Sequence, residues 1–125
     1  MFVAVRGFDN NVYVNQGDLG SVYVGWQTDR VIQTNVAPAV ATTPDGVLFL
    51  ATDTQGRIMV NRVVLGQAGD GWHDLGGGGR TDASPSAAVA GNNRNYMFEA
   101  VKGLDGFVYI NQGSIGVGEV GWFRL

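Results

Sequence analysis

The feature that most constrains this chain is a segment it repeats three times. Val12-Tyr13-Val14-Asn15-Gln16, Ile58-Met59-Val60-Asn61-Arg62 and Val108-Tyr109-Ile110-Asn111-Gln112 are each followed by a Gly-Trp pair, at Gly25-Trp26, Gly71-Trp72 and Gly121-Trp122. The spacing from Asn to Trp is 11 residues in every copy, and the copies are offset by 46 and then by 50 residues. Leu19-Gly20, Leu65-Gly66 and Ile115-Gly116 also coincide. A period of this length marks a supersecondary unit that cannot bury its apolar face alone and must stack on copies of itself.

Each copy reads as strands. Phe2 to Arg6, Val47 to Thr52 and Met97 to Lys102 form a first element, and Asn11 to Gln16, Arg57 to Arg62 and Phe107 to Gln112 a second. Between them lie Asp9-Asn10, Gln55-Gly56 and Asp105-Gly106, pairs suited to two-residue turns because their residues tolerate positive φ. A third strand is expected to start at each Gly-Trp. A fourth, rich in small residues, precedes the next copy at residues 37–41 and 84–89. Its alanines suit a crowded innermost position, and proline is tolerated at a strand's first residue. Nothing holds a helical apolar period for three turns, so a helical array is excluded. Four antiparallel strands in about 46–50 residues is the pattern of a propeller blade. The expected fold is therefore all-β: a β-propeller of four-stranded antiparallel blades, about three per chain. A sandwich is the main alternative, although it would not require matched spacing. The repeats fall at approximately 1–36, 37–83 and 84–125. The first lacks its small-residue strand, leaving eleven expected strands. Three blades do not close a ring. Open blades leave strand edges and an apolar face uncovered. Either a second copy closes the ring, a dimer being the simplest arrangement, or the chain is part of a longer one.

Composition agrees with one globular domain. The 125 residues are 45% hydrophobic and 15% charged, and 20 glycines lie among Val, Ile, Phe and Tyr, as in a chain of short strands and tight turns. With a net charge of −3 and only 8 Lys plus Arg, there is no basic stripe to track phosphates, so neither nucleic acid nor an anionic membrane surface is an expected partner. The absence of cysteine excludes disulfides and thiolate metal sites. No stretch approaches the roughly 18 apolar residues of a membrane span. Met1 to Arg6 has no basic segment before an apolar core and does not read as a signal peptide.

The segment Val5-Arg6-Gly7-Phe8-Asp9-Asn10-Asn11-Val12-Tyr13 is echoed by Val101-Lys102-Gly103-Leu104-Asp105-Gly106-Phe107-Val108-Tyr109. With Ala-Pro-Ala-Val at 37–40 and Gly-Trp-His-Asp-Leu-Gly-Gly at 71–77, it resembles the repeats of the Photorhabdus-type fucose-binding lectins and related repeats of secreted actinobacterial proteins. The resemblance covers essentially the whole chain. It implies a multivalent carbohydrate-binding lectin of propeller type, secreted, with sites for fucose-like sugars between blades.

Candidate ligand residues follow from what recurs. Trp26, Trp72 and Trp122 could each present an indole to the apolar C–H face of a sugar ring, or pack between blades as core. Asn15, Asn61 and Asn111 could donate to and accept from vicinal hydroxyls, or bond a loop backbone. Tyr13 and Tyr109 share the strand face of their asparagines. Arg6 has an equivalent in Lys102, but Thr52 holds that place in the second copy. Arg30, Asp74 and Arg124, which follow the tryptophans, read as a pocket rim or as surface charge. Gly76 to Gly79 lacks the ending of a phosphate loop and reads as a flexible linker. His73, the only histidine, has no recurring counterpart, and no metal or other cofactor is expected. Nor is an enzyme: there is no Gly-x-Ser-x-Gly elbow, and nothing in the sequence pairs two carboxylates. The alternative to a lectin is a non-catalytic interaction or structural propeller.

Overall fold

The computed structural model describes residues 1–17, 24–28, 30–67, 69–90, 96–115 and 117–125; the coincident Leu19, Gly20 and Gly116 lie outside them. Among the described residues there are ten strands and no helix, and every strand pairing is antiparallel. Strands β1 (Phe2–Arg6) and β2 (Val12–Gln16) form a two-stranded sheet. The second sheet runs β3 (Ala39–Thr42), β4 (Gly46–Thr52), β5 (Ile58–Val64) and β6 (His73–Asp74) in chain order. The third runs β7 (Ser86–Ala90), β8 (Tyr96–Lys102), β9 (Val108–Ser114) and β10 (Gly118–Arg124), again as a meander. None of the three closes on itself.

Pro38 and Pro85 stand immediately before β3 and β7, where a missing N–H costs no ladder bond. The strand expected at Gly25-Trp26 is reduced, among the described residues, to one bridge between Val14 and Gln27. Just beyond it the chain turns away through Arg30, whose φ is 57°.

The hairpins correct one expectation. The turns are not two-residue turns. Asn10 N–H bonds Gly7 O, and Gly7 N–H bonds Asn11 O. Asp53-Gly56-Arg57 and Gly103-Gly106-Phe107 repeat the arrangement, and only Asn10, Gly56 and Gly106 take positive φ, at 65°, 78° and 84°. This is a three-residue loop with its last residue in the left-handed region. The residue before each expected pair belongs to the loop, and the side chains of Asp9 and Asp105 each accept a backbone N–H two residues on.

The core lies between sheets rather than inside any one of them. β4 is buried along its whole length because both faces are covered. Leu48, Leu50, Ile58 and Val60 meet Met97 and Val101 of the third sheet, while Ala51 and Met59 on the opposite face meet Val12 and Ile32. β3 packs against β7, and β1 against β3. Two threonines outside the strands, 0% and 1% exposed, lock each sheet to the next. Thr34 N–H bonds Asn10 O and Thr81 N–H bonds Gly56 O, so each ties down a hairpin loop. Their hydroxyls accept from Val36 N–H and Ala83 N–H, shaping the entry to the following sheet.

Candidate functional site: the cleft between the first two sheets

A cleft of about 610 Å³ opens between the first and second sheets. Its walls are apolar (Val12, Val14, Phe49 and Trp72), with amides from Asn15, Gln27 and Asn61 among them. Trp72 packs on the Val12-Ile32-Ala51-Met59 cluster, which fixes the indole at the cleft wall. Asn61 is the unusual member. Its Oδ1 is buried and has no hydrogen-bond partner. In the other two copies the equivalent oxygen accepts from a glycine before the tryptophan: Gly25 N–H bonds Asn15 Oδ1 at 3.1 Å, and Gly121 N–H bonds Asn111 Oδ1 at 3.0 Å. Those glycines share a φ of 111°, whereas Gly71 takes 82° and the bond does not form. The asparagine thus caps backbone in two copies and keeps a buried, unpartnered acceptor in the third. A buried amide oxygen without a partner is costly, and a ligand hydroxyl would relieve it.

The other tryptophans are placed differently. Trp122 lies on the Gly76–Gly79 run, with its Nε1 donating to Gly76 O at 3.3 Å. A Cβ at Gly77 or Gly79 would come within 2.9 Å of the indole. The run expected to be a flexible linker is therefore a side-chain-free seat for a ring. A second cavity of about 420 Å³ adjoins it, lined by Tyr109, Asp105, Trp122 and the glycine run. Trp26 is 53% exposed. Among the sequence candidates, the large cleft brings together Asn15, Asn61 and Trp72, and the smaller cavity holds Tyr109 and Trp122. Tyr13 donates its hydroxyl to Asp9 Oδ2 at 2.9 Å, as Tyr109 does to Asp105 Oδ2 at 2.7 Å. Both phenols are raised above their ordinary value, chiefly by that bond. The Asp9 carboxyl is lowered by Asn11 and then Tyr13, and the Asp105 carboxyl chiefly by Tyr109. Arg6 is occupied at a sheet end, donating to Asn35 O at 3.0 Å.

Sequence reasoning missed Thr34, Thr81 and Glu99. The threonines carried a usable signal, since Thr-Asn-Val-Ala-Pro and Thr-Asp-Ala-Ser-Pro recur 47 residues apart. Glu99 carried none: its equivalent is Phe49 in the second copy and Val3 in the first. Among the described residues no group of three or more His, Cys, Asp or Glu could hold a metal ion. No described helix is long and apolar enough to cross a membrane.

Among solved structures, the chain is similar to a fucose lectin from Kordia zhangzhouensis in complex with methyl-fucoside. The match covers 99% of this chain and 87% of that one, with a TM-score of 0.70 and 12% sequence identity. The likeness is one of fold. No protein-family model matches the sequence, and no curated protein matches it.

Proposed function

We propose that the chain is a carbohydrate-binding lectin, non-catalytic, whose principal sugar site is the cleft between the first and second sheets. The observation that carries this reading is the unpartnered Oδ1 of Asn61 in a cleft walled by Trp72. An aromatic wall takes the C–H face of a pyranose, and an orphan acceptor takes a hydroxyl. The likeness of fold to a fucose lectin supports the same class of ligand, and with the repeat resemblance favours fucose-like sugars. On this reading the three sheets are blades of a propeller, the first incomplete, and the protein acts outside the cell.

A second copy is the proposed closure of the ring. The outer face of the third sheet carries Phe98, Ala100, Val108 and Ile110 at the register positions with which the second sheet holds the third, and Phe123 beside Ile110. There Ile58 and Val60 are buried, whereas Val108 and Phe123 are about half exposed. The same uncovered face favours a second reading, a protein-interaction module.

The test is a glycan array including fucosylated and methylated sugars, probed with the purified chain. The expected result is a hit competed by the free monosaccharide and lost in Trp72→Ala. A blank array from folded protein would overturn the lectin reading and leave the interaction module.

A further inference from the structure

Glu99 is fully buried, and both of its carboxyl oxygens lack a hydrogen-bond partner. It sits in the middle of β8, where Met97, Glu99 and Val101 alternate toward the second sheet. Met97 and Val101 join Leu48, Leu50, Ile58 and Val60 in one apolar cluster there. Across the third sheet the rung reads Ala87, Glu99, Asn111, Trp122. A carboxyl therefore stands in the joint between the second and third sheets, where the joint between the first and second has Phe49. Asn111 does not relieve it: Asn111 Nδ2 donates to Glu119 Oε2 at 3.0 Å, and its Oδ1 accepts from Gly121 N–H.

The charged surroundings give no compensation. Glu119 on β10 is the acidic group that acts on it, and His73 on β6 of the second sheet interacts with Glu119. The strands packed over Glu99, β4 and β5, offer apolar side chains; Arg62 on the same face pairs its Nη2 with Asp45, keeps a buried Nε without a partner, and has no resolved effect on Glu99. The Tyr109 phenol is bonded to Asp105, Lys102 is paired with Asp82, and Arg124 lies over the Phe107 ring. Burial first, and the Glu119 charge second, push the Glu99 carboxyl up to about 8.

We propose that the joint between the second and third sheets is held closed by the protonated form of Glu99 and loosens when that carboxyl ionises. A neutral carboxyl in an apolar joint costs only its unmade hydrogen bonds, whereas a bare carboxylate there costs far more. Parting the sheets lets the anion reach water. The inference is independent of whether a sugar binds.

The closed state holds the Glu99 proton up to about pH 8, while an exposed Glu releases it near 4.5. Opening therefore releases one proton inside that window and becomes about tenfold easier per pH unit. Hydrogen exchange of the wild-type chain, corrected for intrinsic rates, is compared from pH 5 to 9 with that of Glu99→Gln and Glu119→Gln. The expected result is loss of protection with rising pH at residues 97–101 and 48–50, with residues 12–14 of the first joint much less affected. Glu99→Gln should flatten this dependence, while Glu119→Gln should keep it with a smaller shift. An unchanged slope in Glu99→Gln, or wild-type exchange at residues 97–101 that follows the first joint at every pH, overturns the proposal. The wild-type comparison decides the matter even if Glu99→Gln fails to fold.

Discussion

At the scale of single residues, the three equivalent asparagines are predicted to behave unequally. Asn111→Ala removes the cap on Gly121 N–H and the bond to Glu119, and should cost about 1–3 kcal/mol in chemical unfolding. Asn61→Ala deletes an oxygen that has no partner, so it should cost less stability and yet weaken sugar binding. On the lectin reading Trp72→Ala should weaken binding by tenfold or more, about 1.4 kcal/mol by titration calorimetry. Equal stability losses in the two asparagine variants would show that Asn61 is structural after all. The recurrence of Asn and Trp was plain in the sequence, but their division of labour was not. It depends on the φ of Gly71 against that of Gly25 and Gly121, which a repeat alignment does not carry. Glu99 was hidden for a related reason. A single carboxylate replacing Phe49 and Val3 reads as ordinary surface substitution until the neighbouring sheet is seen to cover it.

At the scale of elements, the hairpin loops offer a matched pair. Gly56 and Gly106 occupy equivalent positions at φ 78° and 84°, so alanine at either should cost roughly 1–2 kcal/mol from conformation alone. A Cβ at Gly56 would also lie 2.9 Å from Thr81 O, whereas one at Gly106 meets nothing within 4 Å. Gly56→Ala is therefore expected to lower the thermal midpoint clearly more than Gly106→Ala. Equal shifts would mean that the Thr81 contact does not hold the sheets together. The Asp53 carboxyl gives this hairpin an acid sensitivity. Burial opposes its charge, but Arg57 and the N–H groups of Arg57 and Gln55 outweigh burial and hold it below the ordinary carboxylate value. A carboxyl lowered in the folded state contributes stability that is present above its unfolded pKa, near 3.8, and is lost as pH falls through the lower folded value. Asp53→Asn should flatten that acid limb in a pH series of thermal melts. Strand positions and the meander order were legible because side-chain alternation and turn residues act locally. The loop length was misjudged because the first residue of each loop, Phe8, Thr54 or Leu104, gave no common signal.

At the scale of the whole molecule, the second sheet shares core with both neighbours, and among the described residues the outer face of the third is left about half exposed at Val108 and Phe123. Phe123→Asp and Val108→Asp place charge on the face that a second copy is proposed to cover. Each should shift the chain toward monomer in sedimentation velocity while leaving the joint between the second and third sheets folded. Wild-type protein that sediments as a monomer at micromolar concentration would count against closure by a second copy. The stack also distributes its chromophores. One indole is half exposed, one lines the cleft and one is pinned over bare peptide planes with its N–H engaged. These are three dielectric settings for one fluorophore, spread along the chain. Without any added label, solvent quenching should reach Trp26 first, ligand should perturb Trp72, and Trp122 should shift to the red only when its joint parts, so that the emission spectrum resolves which part of the protein has moved.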